Sequence, residues 1–451
     1  MDKLINDTIV AVSTGASSGA ISIVRMTGIN SVNIADKIFS SLKSKKPSSF
    51  TPRMLVLGTI TTSNFNEQAM CVVFKAPNSY TGEDMIEFQC HGGTQIANGV
   101  LKECVVQGAR VATNGEFTKR AFLNGKTTLA SAEGMMDMIN AESDAEIRAG
   151  YKLLTGNLSK LAYSAQEELT DVLSEIEVSF DYPEETIEYI TKAKIKERLT
   201  SLKENIDNVL KTANAGKLIK SGINVLIVGK PNVGKSSLLN FLLQKERAIV
   251  TDIAGTTRDT IEDSFTIDDV KINLIDTAGI HETDDKVEKI GVDKAKNLIK
   301  QADIVLFLID SSRKLSKEDF EIYDTIKTSS HLVLKTKSDL KNQVNENFEN
   351  QIEISTITGS GIEEVKQKIL EFTKLTNISA DSVVITNERH KDALVRASKN
   401  LARAINNISE DTLDLVAVDI KQAYIDVGEI TGNTTSEDII DAIFSKFCLG
   451  K

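Results

Sequence analysis

One octapeptide restricts what this chain can fold into more than anything else in it: Gly229-Lys230-Pro231-Asn232-Val233-Gly234-Lys235-Ser236. The apolar run Ile223–Val228 precedes it, and an apolar-periodic stretch, Leu238–Leu243, follows. Strand, glycine turn and helix in that order form the setting in which G-x-x-x-x-G-K-S wraps phosphate. Glycine lets the backbone curl until several N–H groups face one point, and the helix N-terminus adds partial positive charge there. The binding set on this loop is Asn232, Val233, Gly234, Lys235, Ser236 and Ser237. Lys235 is the cation for the β/γ-phosphates and Ser236 the Mg²⁺ ligand.

Four further elements fall in the order of a guanine-nucleotide domain. The polar stretch Gly255-Thr256-Thr257-Arg258-Asp259 supplies a threonine, read as Thr257, that closes on Mg²⁺ and the γ-phosphate. The strand Ile272–Ile275 ends in Asp276-Thr277-Ala278-Gly279, a carboxylate for the metal shell and a glycine beside the γ-phosphate. Ile304–Asp310 is continuously apolar up to its last residue, as a buried parallel strand is. Leu332–Lys335 leads into Thr336-Lys337-Ser338-Asp339. The Asp339 carboxylate can accept both guanine N1–H and the 2-amino group, which adenine cannot offer, so the expected nucleotide is GTP. A last strand over 353–356 carries Ser355, Thr356 and Ile357 to the base, and a helix over 362–375 closes the domain.

Three positions depart from the usual pattern. Thr336 stands where an asparagine usually ties the guanine loop to the phosphate loop, so nucleotide affinity is expected to be lower. The Ser355-Thr356-Ile357 segment lacks the customary lysine. Ile280, after Gly279, cannot orient water. Either hydrolysis is slow or another residue supplies the group.

The length of 451 residues fits about three domains. A net charge of −11 argues against a protein that coats nucleic acid or anionic membrane non-specifically. Four scattered cysteines form no disulfide framework or zinc motif, which suits a reducing cytoplasm. No signal peptide and no apolar span of ~18 residues is apparent, so no membrane association is expected. Strand-like runs at 8–12, 20–25, 54–60 and 70–74, with helices over 31–42 and 95–107, predict a small α+β domain. Within it, Pro77–Gly93 reads as a loop, with Thr81-x-x-Asp84 as a cap, and then an edge strand; metal binding by His91 and the carboxylates is the less favoured alternative. Residues 114–126 read as a linker entering a helix. Helical stripes follow over 154–180 and 191–213, and return at 390–408, 412–430 and 436–447. The α/β domain is therefore inserted into a helical bundle. The expected division is 1–118, then 119–213 with 378–451, around an inserted 214–377.

With these motifs in place, the chain resembles the MnmE (TrmE) family of tRNA-modification GTPases over essentially its whole length. The most specific segments are Pro77–Asp84, Gly115–Asn124, Thr251–Asp259 and Phe447-Cys448-Leu449-Gly450-Lys451. The resemblance implies a multidomain homodimer: an α+β folate-binding domain, an α-helical bundle domain and an inserted α/β Ras-like G domain. It implies work with an MnmG-type flavoprotein, as a heterotetramer or larger, that carries FAD and uses NADH. The implied reaction places an aminomethyl-type group on C5 of the tRNA wobble uridine (U34), with a 5-formyl- or methylene-tetrahydrofolate as one-carbon source. By residue, it puts Arg25, Glu87, Lys126 and Lys451 at the folate pocket. It puts Asn232, Thr251, Ile253 and Thr256 around a K⁺ ion, and Thr251, Asp252, Ile253, Ala254, Gly255 and Thr256 along the nucleotide. Hydrolysis is implied to be K⁺-stimulated and activated by G-domain dimerisation, with Glu288 orienting water. His281 stands where arginine is common, and Lys230 where arginine is frequent. Cys448 is either a functional thiol or a small packed hydrophobe.

Two other readings compete. A ribosome-assembly GTPase would carry a basic RNA-binding domain, whereas residues 381–451 are acidic. A folate-dependent aminomethyltransferase would leave the intact Gly229–Ser236 loop without a purpose.

Overall fold

The computed structural model describes residues 7–15, 19–181, 192–245, 261–275, 298–372, 383–408 and 413–450. The chain falls into two compact units, one of Met1–Met136, Leu154–Glu168 and Ile425–Lys451, the other of Asp137–Leu153 and Leu169–Tyr424.

The first unit is built on a seven-stranded sheet. Its strands are β1 (Ile9–Val12), β2 (Ile21–Thr27), β3 (Phe39–Ser41), β4 (Val56–Thr61), β5 (Asn66–Phe74), β6 (Met85–His91) and β7 (Arg110–Val111), in the order β3-β4-β5-β6-β2-β1-β7. All neighbours are antiparallel except β1 and β7. The two-residue period of a strand sends Val24, Met26, Ile86, Phe88, Cys71 and Val73 to one face. There they pack with helices α1 (Ser31–Ile38) and α2 (Thr94–Val106). Arg25 and Glu87, one residue out of phase with that set, face the opposite side, where Ile9 and Ala11 meet Phe117.

Several expectations are corrected here. The strand at 85–91 is internal, pairing with β5 on one side and β2 on the other. Thr81 does not cap a helix: its hydroxyl meets that of Thr27 at 2.7 Å, while Asp84 accepts from Lys75 and the Ala76 N–H, both at 2.9 Å. The helix predicted over 31–42 stops at Ile38, because Phe39 turns extended and begins β3. His91 pairs through Nδ1 with Glu67 at 2.6 Å, and no three metal-ligating side chains cluster among the described residues.

Helices α3 (Glu116–Leu123) and α4 (Leu129–Ile139) follow the sheet. The stripe beginning at Leu154 belongs to two helices, α5 (Asp144–Leu154) and α6 (Asn157–Asp181). Gly156, at φ 82°, makes the break.

In the second unit, α7 (Lys192–Leu210) buries Ile195, Leu199, Leu202 and Ile206, in the predicted register. It packs against α12 (Glu388–Asn407), whose buried alanines 393, 397 and 404 allow close approach, and Ser398 donates to Asp207 at 2.6 Å. The helix predicted to run to Ala213 ends at Leu210, and α8 (Ala213–Ser221) takes over. The Ile385 N–H donates to the Thr212 hydroxyl at 3.3 Å, so the chain leaves and re-enters the helices at neighbouring points.

Between those points lies a six-stranded sheet of β8 (Ile223–Val228), β9 (Ile261–Ile267), β10 (Val270–Ile275), β11 (Ile304–Asp310), β12 (His331–Thr336) and β13 (Gln351–Glu353). The order is β13-β12-β11-β8-β10-β9, parallel except for β9. The last strand thus ends at Glu353, leaving Ser355–Ile357 in the loop beyond it. Apolar cores fill both faces, and every residue of β11 is buried. Helices α9 (Lys235–Lys245), α10 (Lys317–Ile326) and α11 (Ile362–Phe372) complete this α/β layer, and α13 (Leu413–Thr431) and α14 (Glu437–Phe444) end the chain.

Candidate functional site

The sheet of the second unit reverses direction at β8: β10 lies on one side of it and β11 on the other. Ligands of open α/β sheets bind outside the carboxyl ends of the strands at such a point, and the phosphate loop emerges from β8 there. Its backbone has the conformation that loop needs, with Gly229, Asn232 and Gly234 at φ 151°, 64° and 102°. A side chain at Gly229 would strike the Leu308 carbonyl at 2.5 Å. Ser236 and Ser237 stand in the first turn of α9, where free N–H groups face outward. The half-buried Lys235 ammonium donates to the Gly229 carbonyl at 2.5 Å, and burial lowers its pKa. It thus has two backbone carbonyls near it and no carboxylate partner among the described residues. A phosphate group arriving there gains a poorly solvated cation.

The guanine loop leaves the end of β12 beside it. Thr336, buried, donates its hydroxyl to the Val233 carbonyl at 2.6 Å, with the Ile309 carbonyl at 3.1 Å. The tie that asparagine usually makes is made here by a shorter side chain. Lys337, at φ 59°, reaches Asp310 at 2.7 Å. Burial pushes the Asp310 carboxyl up, but Lys337, Ser312 and Arg313 outweigh it and hold the group below the usual range. Asp339 accepts from the Ser355 hydroxyl at 2.6 Å, which joins two of the predicted base-reading segments. Thr356 and Ile357 follow in the same loop, and Ile357 is exposed. Thr251, Asp252, Ile253, Ala254, Gly255, Thr256, Thr257, Asp276, Thr277, Ala278, Gly279 and Glu288 lie outside the described residues, as do Ile280 and His281.

A second polar centre lies in the first unit. Arg25 and Glu87 are register partners on β2 and β6 and form an ion pair at 2.8 Å. The Arg25 guanidinium stacks 5.4 Å from the centre of the Tyr80 ring and 5.9 Å from that of Phe117. Tyr80 in turn lines a cavity of about 810 Å³, with Thr118, Lys126, Ser159, Lys160 and Asn433 among its walls. Of the four predicted pocket residues, Arg25 and Glu87 form a pair and Lys126 lines the cavity that Tyr80 also lines; Lys451 lies outside the described residues. Cys448 is exposed, so it is not the packed hydrophobe of the bland alternative. Its three fellow cysteines are buried, with the thiols of Cys90 and Cys104 pushed up by burial to about 11 and about 12. Those thiols are unreactive.

What holds this centre together went unnoticed in the sequence. Arg120, only 4 % exposed, donates to the Asp7 carboxylate at 2.5 Å, to Glu83 at 3.3 Å and to Glu116 at 3.2 Å. Arg110 adds a 2.6 Å bond to Glu116, and the Thr113 N–H another at 2.8 Å. Burial raises the Glu116 carboxyl, but Arg110, that N–H and Arg120 outweigh it and hold its pKa at about 2. The Tyr80 hydroxyl meets Thr118 at 2.8 Å, and the Asn124 amide donates to the Thr81 carbonyl at 2.7 Å. The two segments Pro77–Asp84 and Gly115–Asn124 are thus each other's scaffold. The available signal was the Glu116/Arg120 pair, one helical turn apart.

Comparison with known proteins gives three findings. A family model described as "GTP-binding protein TrmE N-terminus" matches residues 8–126, and one described as "MnmE helical domain" matches 129–448. The chain is 42% identical over 457 residues to the tRNA modification GTPase MnmE of Clostridioides difficile (strain 630), covering 99% of this chain and 100% of that protein. It is 42% identical over 459 residues to the protein of that name from Alkaliphilus metalliredigens (strain QYMF), with the same coverage. Among solved structures, a variant of Era from Aquifex aeolicus bound to GDP and aluminium fluoride aligns at 30% identity and a TM-score of 0.25, covering 39% of this chain and 66% of that one. The G domain of the T. maritima FeoB iron transporter aligns at 25% identity and a TM-score of 0.24, covering 33% and 98%.

Proposed function

This chain belongs to the MnmE family of tRNA modification GTPases, and from that premise we propose that it hydrolyses GTP to drive C5 modification of the tRNA wobble uridine. The observation that carries the nucleotide part is the joining of phosphate loop and guanine loop by Thr336 and Val233, with Asp339 held by Ser355. In this reading Lys235 neutralises the phosphates, and Ser236 and Thr257 hold Mg²⁺. Glu288 orients the attacking water. Asn232, with Thr251, Ile253 and Thr256, holds a K⁺ ion whose charge replaces an arginine finger. Asp276–Gly279 closes on the γ-phosphate, and dimerisation of the G domains activates the step.

The one-carbon donor is a tetrahydrofolate derivative. Support comes from the Arg25–Glu87 pair stacked on Tyr80 beside a cavity that also presents Lys126. A pterin suits a carboxylate and an aromatic face, and a glutamyl tail suits lysine and arginine. Lys451 and the exposed Cys448 belong to the same pocket in this reading. The active form is a homodimer working with an MnmG-type flavoprotein, which supplies FAD and NADH, in the cytoplasm. The working division is 1–118, 119–213 with 378–451, and 214–377. No helix of the described residues is long and apolar enough to cross a membrane.

The test is reconstitution with flavoprotein, folate and tRNA. GTP turnover should be faster in K⁺ than in Na⁺, and Glu288→Ala should lower it by about 10²-fold while nucleotide binding stays. Equal rates in the two salts would remove the K⁺ site, and co-purification with ribosomal particles in place of flavoprotein and tRNA would remove the whole reading.

A further inference from the structure

The hairpin of β9 and β10 joins the two stretches that the reading above makes nucleotide-sensing, the one ending in Thr257 and the one starting at Asp276. Its turn, Asp268-Asp269, is left-handed at φ 43° and 65°. That turn is gripped by α5 and the residues just ahead of it. The Ala145 N–H donates to the Asp269 carbonyl at 3.3 Å, and Arg148 donates to the Asp269 carboxylate at 3.2 Å. One residue past the hairpin turn's β10 start, Lys271 pairs with Glu142 at 2.6 Å. A cavity of about 280 Å³ opens beside the grip, walled by Asp137, Glu142, Glu146, Lys220, Lys271 and Thr386.

This contact is badly placed for a purely structural role. Arg148 and Asp269 are 61% and 51% exposed, and an ion pair so exposed adds little to stability. The hairpin itself is stiff: Phe265, Ile267, Val270, Ile272 and Leu274 are all buried in one core. A shift at the turn is therefore carried to the other end of the hairpin, about 20 Å away at ~3.4 Å per residue.

We propose that Arg148 and Glu142 are positioning residues for GTP hydrolysis: acting through Asp269 and Lys271, they set the hairpin and with it the two loops at its far end. Nucleotide state and the position of α5 are then coupled in both directions, since a coupling between two sites is reciprocal. The inference rests on the assignment of Thr257 and Asp276 to the nucleotide.

The experiment uses the full chain with Arg148→Ala, Arg148→Lys, Asp269→Asn, Glu142→Lys and the exchange of Glu142→Lys with Lys271→Glu. Asparagine is chosen because it tolerates the left-handed φ of position 269. GTP kcat and KM, GDP affinity and the melting temperature are measured for each. The expected result is a change in kcat of about 5-fold or more for Arg148→Ala, Asp269→Asn and Glu142→Lys. KM and melting temperature should stay at the parent's values, Arg148→Lys should keep most of the parent kcat, and the exchange should recover it. Parent-like kcat in all single variants, or losses that add in the exchange, would overturn the proposal. Thr257→Ala in the parent separates the two levels. If it leaves turnover intact, the assignment of the loop fails and takes the inference with it; if it abolishes turnover while the grip variants are silent, only the inference fails.

Discussion

The phosphate loop and the N-terminal polar centre hold their polar groups in place by different means. Around Gly229–Ser237 the polar groups offered are mostly backbone N–H groups, aimed by glycine φ values and a helix start, and one contiguous segment suffices. Around Arg25 and Glu87 they are side chains, scaffolded by an ion network of residues 7, 83, 110, 116 and 120 in which Glu83, Glu116 and Arg120 are mostly buried. A backbone site tolerates surface change but not a Cβ at Gly229. A side-chain site tolerates local backbone change but not the loss of one buried charge.

The largest effect should therefore come from Arg120→Ala. It leaves Asp7, Glu83 and Glu116 with fewer cationic partners, two of these carboxylates being mostly buried. Removing one member of a buried pair costs about 3–5 kcal/mol. Chemical denaturation should show the N-terminal unit melting early, while GTP binding persists. A loss below about 1 kcal/mol would mean that the network is incidental.

The next effect is a pH dependence. Glu116 has a folded pKa of about 2 against an ordinary 4.5. The depressed value means its stabilisation is full above pH ~4.5 and disappears as pH falls toward ~2, a change of at most roughly 3 kcal/mol. Denaturation midpoints of the N-terminal unit should fall across that window, and Glu116→Gln should flatten the slope. An unchanged slope in Glu116→Gln would assign the acid sensitivity elsewhere.

Thr336→Val should have the smallest effect of the three. It removes one hydroxyl from the Val233 carbonyl in a buried place, worth about 1–3 kcal/mol. GTP affinity should fall by about tenfold, and Thr336→Ser should retain it. Equal affinity in Thr336→Val would show that the two loops are held together by other contacts.

The same contrast governs what could be read from residues alone. Glycines and lysine at fixed spacing after an apolar run identified the phosphate loop, because the backbone geometry is local. Strand β11 and the stripe of α7 were legible for a similar reason, the period of their apolar residues. The internal place of β6 was not, since His91, Glu87 and Gln89 make it look half-solvated; Glu87 pairs with Arg25 on one neighbouring strand, and His91 hydrogen-bonds Glu67 on the other. Arg120 was missed because its partners are as far as 113 residues away in the chain. The Thr336 contact was not legible because a side-chain comparison with asparagine omits how closely Val233 approaches.

Base selection by Asp339 tests the central claim most directly. Asparagine there can still accept from Ser355, so the loop should keep its shape, but its amide now turns a donor toward guanine N1–H. Titration of the parent and Asp339→Asn with GTP and XTP should show GTP affinity falling by roughly 30-fold or more, the scale of about 2–4 kcal/mol, with XTP becoming the better ligand. Undiminished GTP affinity in Asp339→Asn would contradict the account.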